Sequence, residues 1–178
     1  MTIYLIGYRC TGKTSVGRML AEKIGWRFVD SDYYVVKKAG MSIAEMVVEH
    51  GWDYFRHCEK QAIAELDPDN QLVVATGGGI ILDPTNRDLL KDSDNLVVWL
   101  QAKTETIYDR MKNDAESNDF RPSLTNSALH HEIMHTLAER TPFYESVADF
   151  AVTTDGRALA DVCETILKLL GGTEAIKD

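Results

Sequence analysis

A chain of 178 residues is long enough for one well-buried α/β core and leaves no comfortable room for a second domain of ordinary size. Its formal net charge of −9 excludes a general DNA or RNA surface, which needs a basic face to displace counterions, so an anionic small molecule would have to be met by local arginines. The three cysteines, Cys10, Cys58 and Cys163, show neither paired nor metal-type spacing, no signal segment precedes the first strand, and no run nears the roughly 20 apolar residues of a membrane span; the expectation is a soluble cytoplasmic protein with reduced thiols.

The chain opens on the apolar run Ile3-Tyr4-Leu5-Ile6, a strand that leads directly into Gly7-Tyr8-Arg9-Cys10-Thr11-Gly12-Lys13-Thr14. That segment reads G-x-x-x-x-G-K-[ST], a phosphate-binding loop, and the helical stripe Val16, Met19, Leu20 and Ile24 follows it, ending at Gly25. Strand, loop and helix together aim backbone N–H groups and a helix N-terminus at one anion. Cys10, Thr11, Gly12, Lys13, Thr14 and Ser15 are therefore the expected contacts to a nucleotide's phosphates. Lys13 supplies a point charge to the β- and γ-phosphoryl oxygens, and the Thr14 hydroxyl can ligate Mg²⁺. A second β-type run, 27–29, closes on Asp30-Ser31-Asp32. Read as extended backbone, residues two apart share a side, so both carboxylates would face the crevice where parallel α/β sheets bind ligands. One could hold Mg²⁺ and the other accept a proton from an attacking hydroxyl; helix capping is the plainer alternative.

Ser42-Ile43-Ala44-Glu45 is a capping box that opens a helix, Gly51 can end it, and Asp53 can cap the next, whose stripe is Phe55, Cys58, Ala62, Ile63 and Leu66. A third strand, 72–75, runs into Thr76-Gly77-Gly78-Gly79, where bare main chain can approach a ligand or merely make a tight loop. Asp83-Pro84 starts another helix, and further strands follow at 96–100 and 150–152. Helical patterns between the strands predict a parallel sheet covered on both faces, a three-layer α/β/α fold. Between 112 and 127 the periodicity disappears, as expected of a mobile lid.

In the helix through Leu129, Ile133 and Leu137, the 100° step brings Arg140 beside Leu129 and Ile133, toward the packed side, where a guanidinium needs an anion. Arg56 and Arg121 are solvated by default, yet an arginine on a lid is a natural clamp for transferring phosphoryl oxygens. The same helix carries His131-Glu132-Ile133-Met134-His135, which spells H-E-x-x-H. Its two histidines fall opposite the apolar stripe and no nearby motif suggests a third ligand, so an exposed face with a coincidental match is expected rather than zinc. The closing helix, 157–170, is followed by Gly171-Gly172 and a tail, 173–178, expected to fray.

Taken in order, the Gly7 to Thr14 loop, Phe28-Val29-Asp30-Ser31-Asp32, Phe55-Arg56 with Glu59, Gly77-Gly78-Gly79, Arg121-Pro122, and Glu139-Arg140 with Pro142 and Tyr144 resemble the shikimate kinase family over nearly the whole chain. The resemblance implies a single domain, 1–172, with a five-stranded parallel sheet in the 2-3-1-4-5 order of nucleoside monophosphate kinase-like P-loop folds. It implies a substrate-binding helical region at about 32–60 and a closing lid. The implied activity is ATP-dependent phosphorylation of the 3-hydroxyl of shikimate, a step of aromatic amino acid biosynthesis, with Mg²⁺ as cofactor. In that scheme Asp32 contacts ring hydroxyls and acts as base, Asp30 supports Mg²⁺ through water, and Arg56 and Arg140 clamp the substrate carboxylate. The Gly77, Gly78 and Gly79 backbone, Gly78 above all, contacts a hydroxyl, Arg121 reaches the ATP phosphates, and Arg157 lines the adenine pocket. No nucleic-acid or membrane partner is implied, and a monomer is the default. Two departures stand out: Ser123 separates Arg121-Pro122 from Leu124 where the family often reads Arg-Pro-Leu, and the loop interior Tyr8-Arg9-Cys10-Thr11 is bulkier than usual. A same-fold kinase of another hydroxy acid such as gluconate, and a nucleotide-binding regulatory module without transfer activity, remain the alternative readings.

Overall fold

The computed structural model describes residues 1–66, 71–113 and 126–172. Its central strand, β1 (Thr2–Ile6), is buried along its whole length because its side chains alternate between two apolar clusters. Ile3 and Leu5 pack on one face, Tyr4 and Ile6 on the other. The remaining strands are β2 (Arg27–Asp30), β3 (Leu72–Ala75), β4 (Asn95–Gln101) and β5 (Phe150–Thr153). All pair in parallel in the order β2-β3-β1-β4-β5, with Thr2 opposite Leu72 on one side and Asn95 on the other. This is the order that the family resemblance implied. The polar end residues Asn95, Gln101 and Thr153 join their strands through backbone pairing alone, so each of those strands runs beyond its apolar run.

The helices among the described residues are α1 (Lys13–Ile24), α2 (Ser31–Ala39), α3 (Ile43–Ala64), α4 (Pro84–Leu90), α5 (Thr104–Asn113), α6 (Asn126–Val147) and α7 (Leu159–Gly172). Leu20 of α1 and Ile166 of α7 close over Ile3, Leu5 and Val98, while Ile63 of α3, Leu90 of α4 and Tyr144 of α6 close over Tyr4, Ile6 and Val97. Both faces are covered, and burying each such side chain contributes about 1.5–3 kcal/mol. No described helix is long and apolar enough to cross a membrane.

Three boundaries differ from the sequence expectations. β2 ends at Asp30 and α2 starts at Ser31, so Asp32 lies in a first helical turn and not on extended backbone. The capping box at Ser42 and Glu45 forms as expected, but α3 continues past Gly51 as one bent run, with Gly51 at φ 83° and ψ 170° and Asp53 inside it. Finally, α7 begins two residues later than expected and takes in both terminal glycines. Most of the expected lid, with Arg121, and the tail lie outside the described residues.

Candidate active site

The loop between β1 and α1 is held by its own polar groups. The Tyr8 carbonyl accepts from the Lys13 ammonium at 2.7 Å and from the Thr11 hydroxyl at 2.8 Å. Gly12 enters α1 in the left-handed region, φ 94°, without a side-chain cap, which leaves the first-turn N–H groups directed at whatever the loop encloses. Arg110 of α5 braces the loop from outside, donating to the Cys10 carbonyl at 3.1 Å and to the Thr154 hydroxyl and carbonyl at 3.0 and 2.8 Å. A cleft of about 1580 Å³ runs from Asp32 past Lys13 to Arg110 and Arg157.

Asp30 serves two partners. One carboxylate oxygen caps α2, accepting from the backbone N–H groups of Asp32 and Tyr33 at 3.1 and 3.2 Å, and the other accepts from the Thr14 hydroxyl at 2.8 Å. The capping use of this aspartate is thus real, and it turns the chain so that Asp32 also reaches the cleft. Alternation along a strand does not produce the juxtaposition; the strand-to-helix turn does.

The three glycines after β3 are the place where the remaining groups meet. A Cβ on Gly77 would stand 2.6 Å from Asp32 Oδ1 and would collide with Glu59 Oε1, and the Gly77 N–H donates to Ser31 Oγ at 2.9 Å. Gly78 lies against the phosphate loop, where a Cβ would come 3.3 Å from the Gly7 carbonyl oxygen. Its own carbonyl accepts from Arg140 Nη1 at 3.1 Å and from the Tyr144 hydroxyl at 2.6 Å. Gly79 has no room for a Cβ because the Arg56 guanidinium fills the space. Arg56 is paired with Glu59, whose side chain is fully buried, at 2.5 Å, and its guanidinium lies 5.1 Å from the Phe55 ring centroid and 5.7 Å from that of Trp52. Asp32, Arg56 and Arg140 therefore converge on one short loop whose back is the phosphate loop.

Arg157 lines the same cleft but, two residues before α7, folds onto that helix, donating to the Asp161 carbonyl at 2.8 Å and the Thr165 hydroxyl at 2.5 Å. His131 and His135 lie on the exposed side of α6, with His135 Nδ1 3.4 Å from Glu139. The Glu132 between them turns the other way, toward Arg9 of the phosphate loop at 3.5 Å. The H-E-x-x-H spacing thus splits its acid from its histidines. Arg110, Ser31 and Tyr144 also brace the site, and no motif in the sequence gives any of them a role. Only Tyr144 carried a usable signal, lying one helical turn after Arg140 on the same face.

The sequence model of a family described as "Shikimate kinase" matches residues 9–171. Among curated relatives, the shikimate kinase of Syntrophus aciditrophicus is 41% identical over 174 residues, covering 93% of this chain and 89% of that protein. The shikimate kinase of Nitratidesulfovibrio vulgaris is 39% identical over 168 residues, covering 94% of each. Among solved structures, a shikimate kinase from Acinetobacter baumannii in complex with shikimate superposes with a TM-score of 0.89 at 34% identity, over 97% of this chain and 94% of that one. With the phosphate loop, the acids and the arginines gathered as described, and with matches of this extent, the chain belongs to the shikimate kinase family.

Proposed function

We propose that this chain transfers the γ-phosphoryl group of ATP to the 3-hydroxyl of shikimate, giving shikimate 3-phosphate and ADP, as a cytoplasmic monomer. The observation that carries the reading is the convergence of Asp32, Arg56 and Arg140 on the Gly77 to Gly79 loop, directly against the phosphate loop. Arg56 and Arg140 suit a carboxylate, which planar guanidinium groups bind with two parallel hydrogen bonds. Asp32 orients the 3-hydroxyl and takes its proton while the oxygen attacks the γ-phosphorus in line. The bond to the β-phosphate oxygen breaks, and ADP leaves with that electron pair. Lys13 and Arg121 stabilise the transferring oxygens, the amides of residues 10–15 hold the β-phosphate, and Arg157 borders the adenine. Closure of the segment at 112–127 over a substrate region at about 32–60 excludes water and suppresses hydrolysis of ATP.

Mg²⁺ fits the donors present. Thr14 Oγ1 and Asp30 Oδ2 are hard oxygens 2.8 Å apart at the start of α1, and Mg²⁺ is held by one or two such groups together with substrate phosphates and water rather than by an all-protein cage. Thr14 and Asp30 would hold it, Asp30 directly or through water. When bound, it supplies charge neutralisation at the phosphoryl oxygens.

A coupled ADP-release assay over a panel of small hydroxy acids tests the reading. Shikimate is expected to be preferred over gluconate and the rest by about 100-fold or more in kcat/KM, a difference of roughly 2.8 kcal/mol. Comparable rates across the panel would point to a broader hydroxy-acid kinase, and tight ATP binding with no ADP release would leave a regulatory module.

A further inference from the structure

We infer that Tyr144 is a positioning residue for recognition of the substrate carboxylate: its buried hydroxyl pins the Gly78 carbonyl and thereby aims the Gly79 N–H, beside Arg56, at that group. The inference rests on the functional reading above and adds to it a residue that touches neither substrate.

A carbonyl oxygen has two lone pairs, and that of Gly78 uses both, one for Arg140 Nη1 at 3.1 Å and one for the Tyr144 hydroxyl at 2.6 Å. These two donors differ in what else they can do. Arg140 is half-buried and carries other N–H groups, so an arriving carboxylate competes for it with a charge-assisted, two-pronged hydrogen bond that a neutral carbonyl cannot match. Tyr144 has no such freedom. It is 0% exposed and its ring is stacked on Trp99 of β4, with centroids 5.5 Å apart and planes 21° from parallel. Burial also pushes its phenol up to about 12, so the hydroxyl remains a donor across the working pH range. When Arg140 turns to substrate, Tyr144 is the group that keeps the carbonyl in place.

Holding that carbonyl fixes more than one atom. The peptide bonds among the described residues are trans, so the Gly79 N–H points opposite to the Gly78 C=O in the same rigid plane. Because the carbonyl is drawn toward α6, the N–H is turned away from it, and Gly79 is the residue whose missing Cβ leaves room for the Arg56 guanidinium. On the preceding side, the Gly77 N–H is tied to Ser31 Oγ at 2.9 Å, and 3-10 hydrogen bonds from Ile80 to Gly77 and Leu82 to Gly79 fix the loop's exit. A glycine segment with free rotation at each residue would otherwise sample many peptide orientations. Tyr144 removes the one flip that would replace an N–H donor with a carbonyl facing an anion.

The test is Tyr144→Phe, which keeps the ring on Trp99 and removes only the hydroxyl, assayed with shikimate and with the analogue bearing a hydroxymethyl group in place of the carboxylate. The expected result is a drop of about tenfold in kcat/KM for shikimate, equivalent to roughly 1.4 kcal/mol, carried by KM and not kcat. The KM for ATP should stay within about twofold, and wild type and variant should differ by less than about twofold on the hydroxymethyl analogue. A purely structural role would instead lower the melting temperature and raise both substrates' KM, or impose the same penalty on both acceptors; either result overturns the inference, as does unchanged shikimate kinetics. If the wild-type protein itself fails to phosphorylate shikimate, the functional reading falls and takes this inference with it. An active wild type with an indifferent variant removes the inference alone.

Discussion

Glu59 is the most deeply buried acid of the site, and its environment explains why Arg56 is more than a surface cation. The carboxylate is fully buried and the guanidinium about a quarter exposed, with the pair at 2.5 Å on one face of α3. Removing the arginine takes the paired cation from a buried carboxylate, which costs about 3–5 kcal/mol where both groups are fully desolvated and toward or below the lower end here, since Arg56 keeps some contact with water and Glu59 has further polar contacts. Removing both charges at once avoids that penalty. Arg56→Ala should therefore be more destabilised than the double variant Arg56→Ala/Glu59→Gln, measured by urea midpoints at equal m-value. If the two losses simply add, Glu59 is held by something other than Arg56, and its role as the counter-ion is lost. The same reasoning separates stability from recognition: the double variant regains stability without regaining a guanidinium for the carboxylate.

At the scale of elements, α3 shows how one backbone angle shapes the site. Gly51 at φ 83° and ψ 170° bends the helix between the turn that packs on α2 and the turns that carry Arg56 and Glu59. A Cβ there meets nothing within 4 Å, so Gly51→Ala would report backbone strain alone, of about 1–3 kcal/mol. At this chain length that lowers the melting temperature by about 2–4 °C per kcal/mol. A rise would mean that the helix straightens and collects the roughly 1 kcal/mol propensity gain of alanine over glycine, and that the bend is not required. Glycine at 51 was readable as a break, but not as a bend within one run, because that depends on α2 packing beneath it. The strands were legible from apolar runs, whereas their polar ends join the sheet through backbone pairing that leaves no side-chain pattern. Alternation predicts that Asp30 and Asp32 share a side, and both reach the cleft, but for another local reason: a capping carboxylate ends β2 at Asp30, two residues before the strand end that alternation requires. Arg110 left no trace in the sequence because its partners, Cys10 and Thr154, become neighbours only when β1, β4 and β5 lie side by side.

For the molecule as a whole, the sheet divides the core in two, and the half facing α3, α4 and α6 contains two tyrosines, Tyr4 on β1 and Tyr144 on α6. Burial, the largest cause in each, pushes both phenols from 10.0 up to about 12, with Asp92 adding to the rise at Tyr4. The fold therefore keeps two protons that the unfolded chain releases near pH 10. The sign follows: their contribution is whole below pH 10 and is lost as the pH climbs from there toward 12, at up to about 2.7 kcal/mol per tyrosine. At the acid end the shifts run the other way. Burial would raise the Asp83 carboxyl, but the N–H groups of Thr85 and Asn86 and the Lys60 ammonium outweigh it and hold the group below 3.8, while the Ser42 N–H holds Glu45 below 4.5. Those contributions are present above their ordinary carboxylate values and disappear as the pH falls past them. Stability should be flat between about pH 5 and 9, where the buried Cys163 thiol begins to count, and decline on both sides. The two buried tyrosines share the alkaline limb with Cys163, whose thiol is also pushed up by burial, and with Lys23 and Lys38, whose ammonium groups are held up by Glu164 and Glu65, so the tyrosine part has to be dissected: Tyr4→Phe removes one contributor while leaving its ring in the core. Thermal melts of the wild type and Tyr4→Phe at pH 8 and pH 11 should show a smaller loss between the two pH values in the variant. An identical loss would mean that the alkaline limb comes from lysine or backbone chemistry elsewhere, and that the Tyr4 phenol reaches water more readily than its 4% exposure implies.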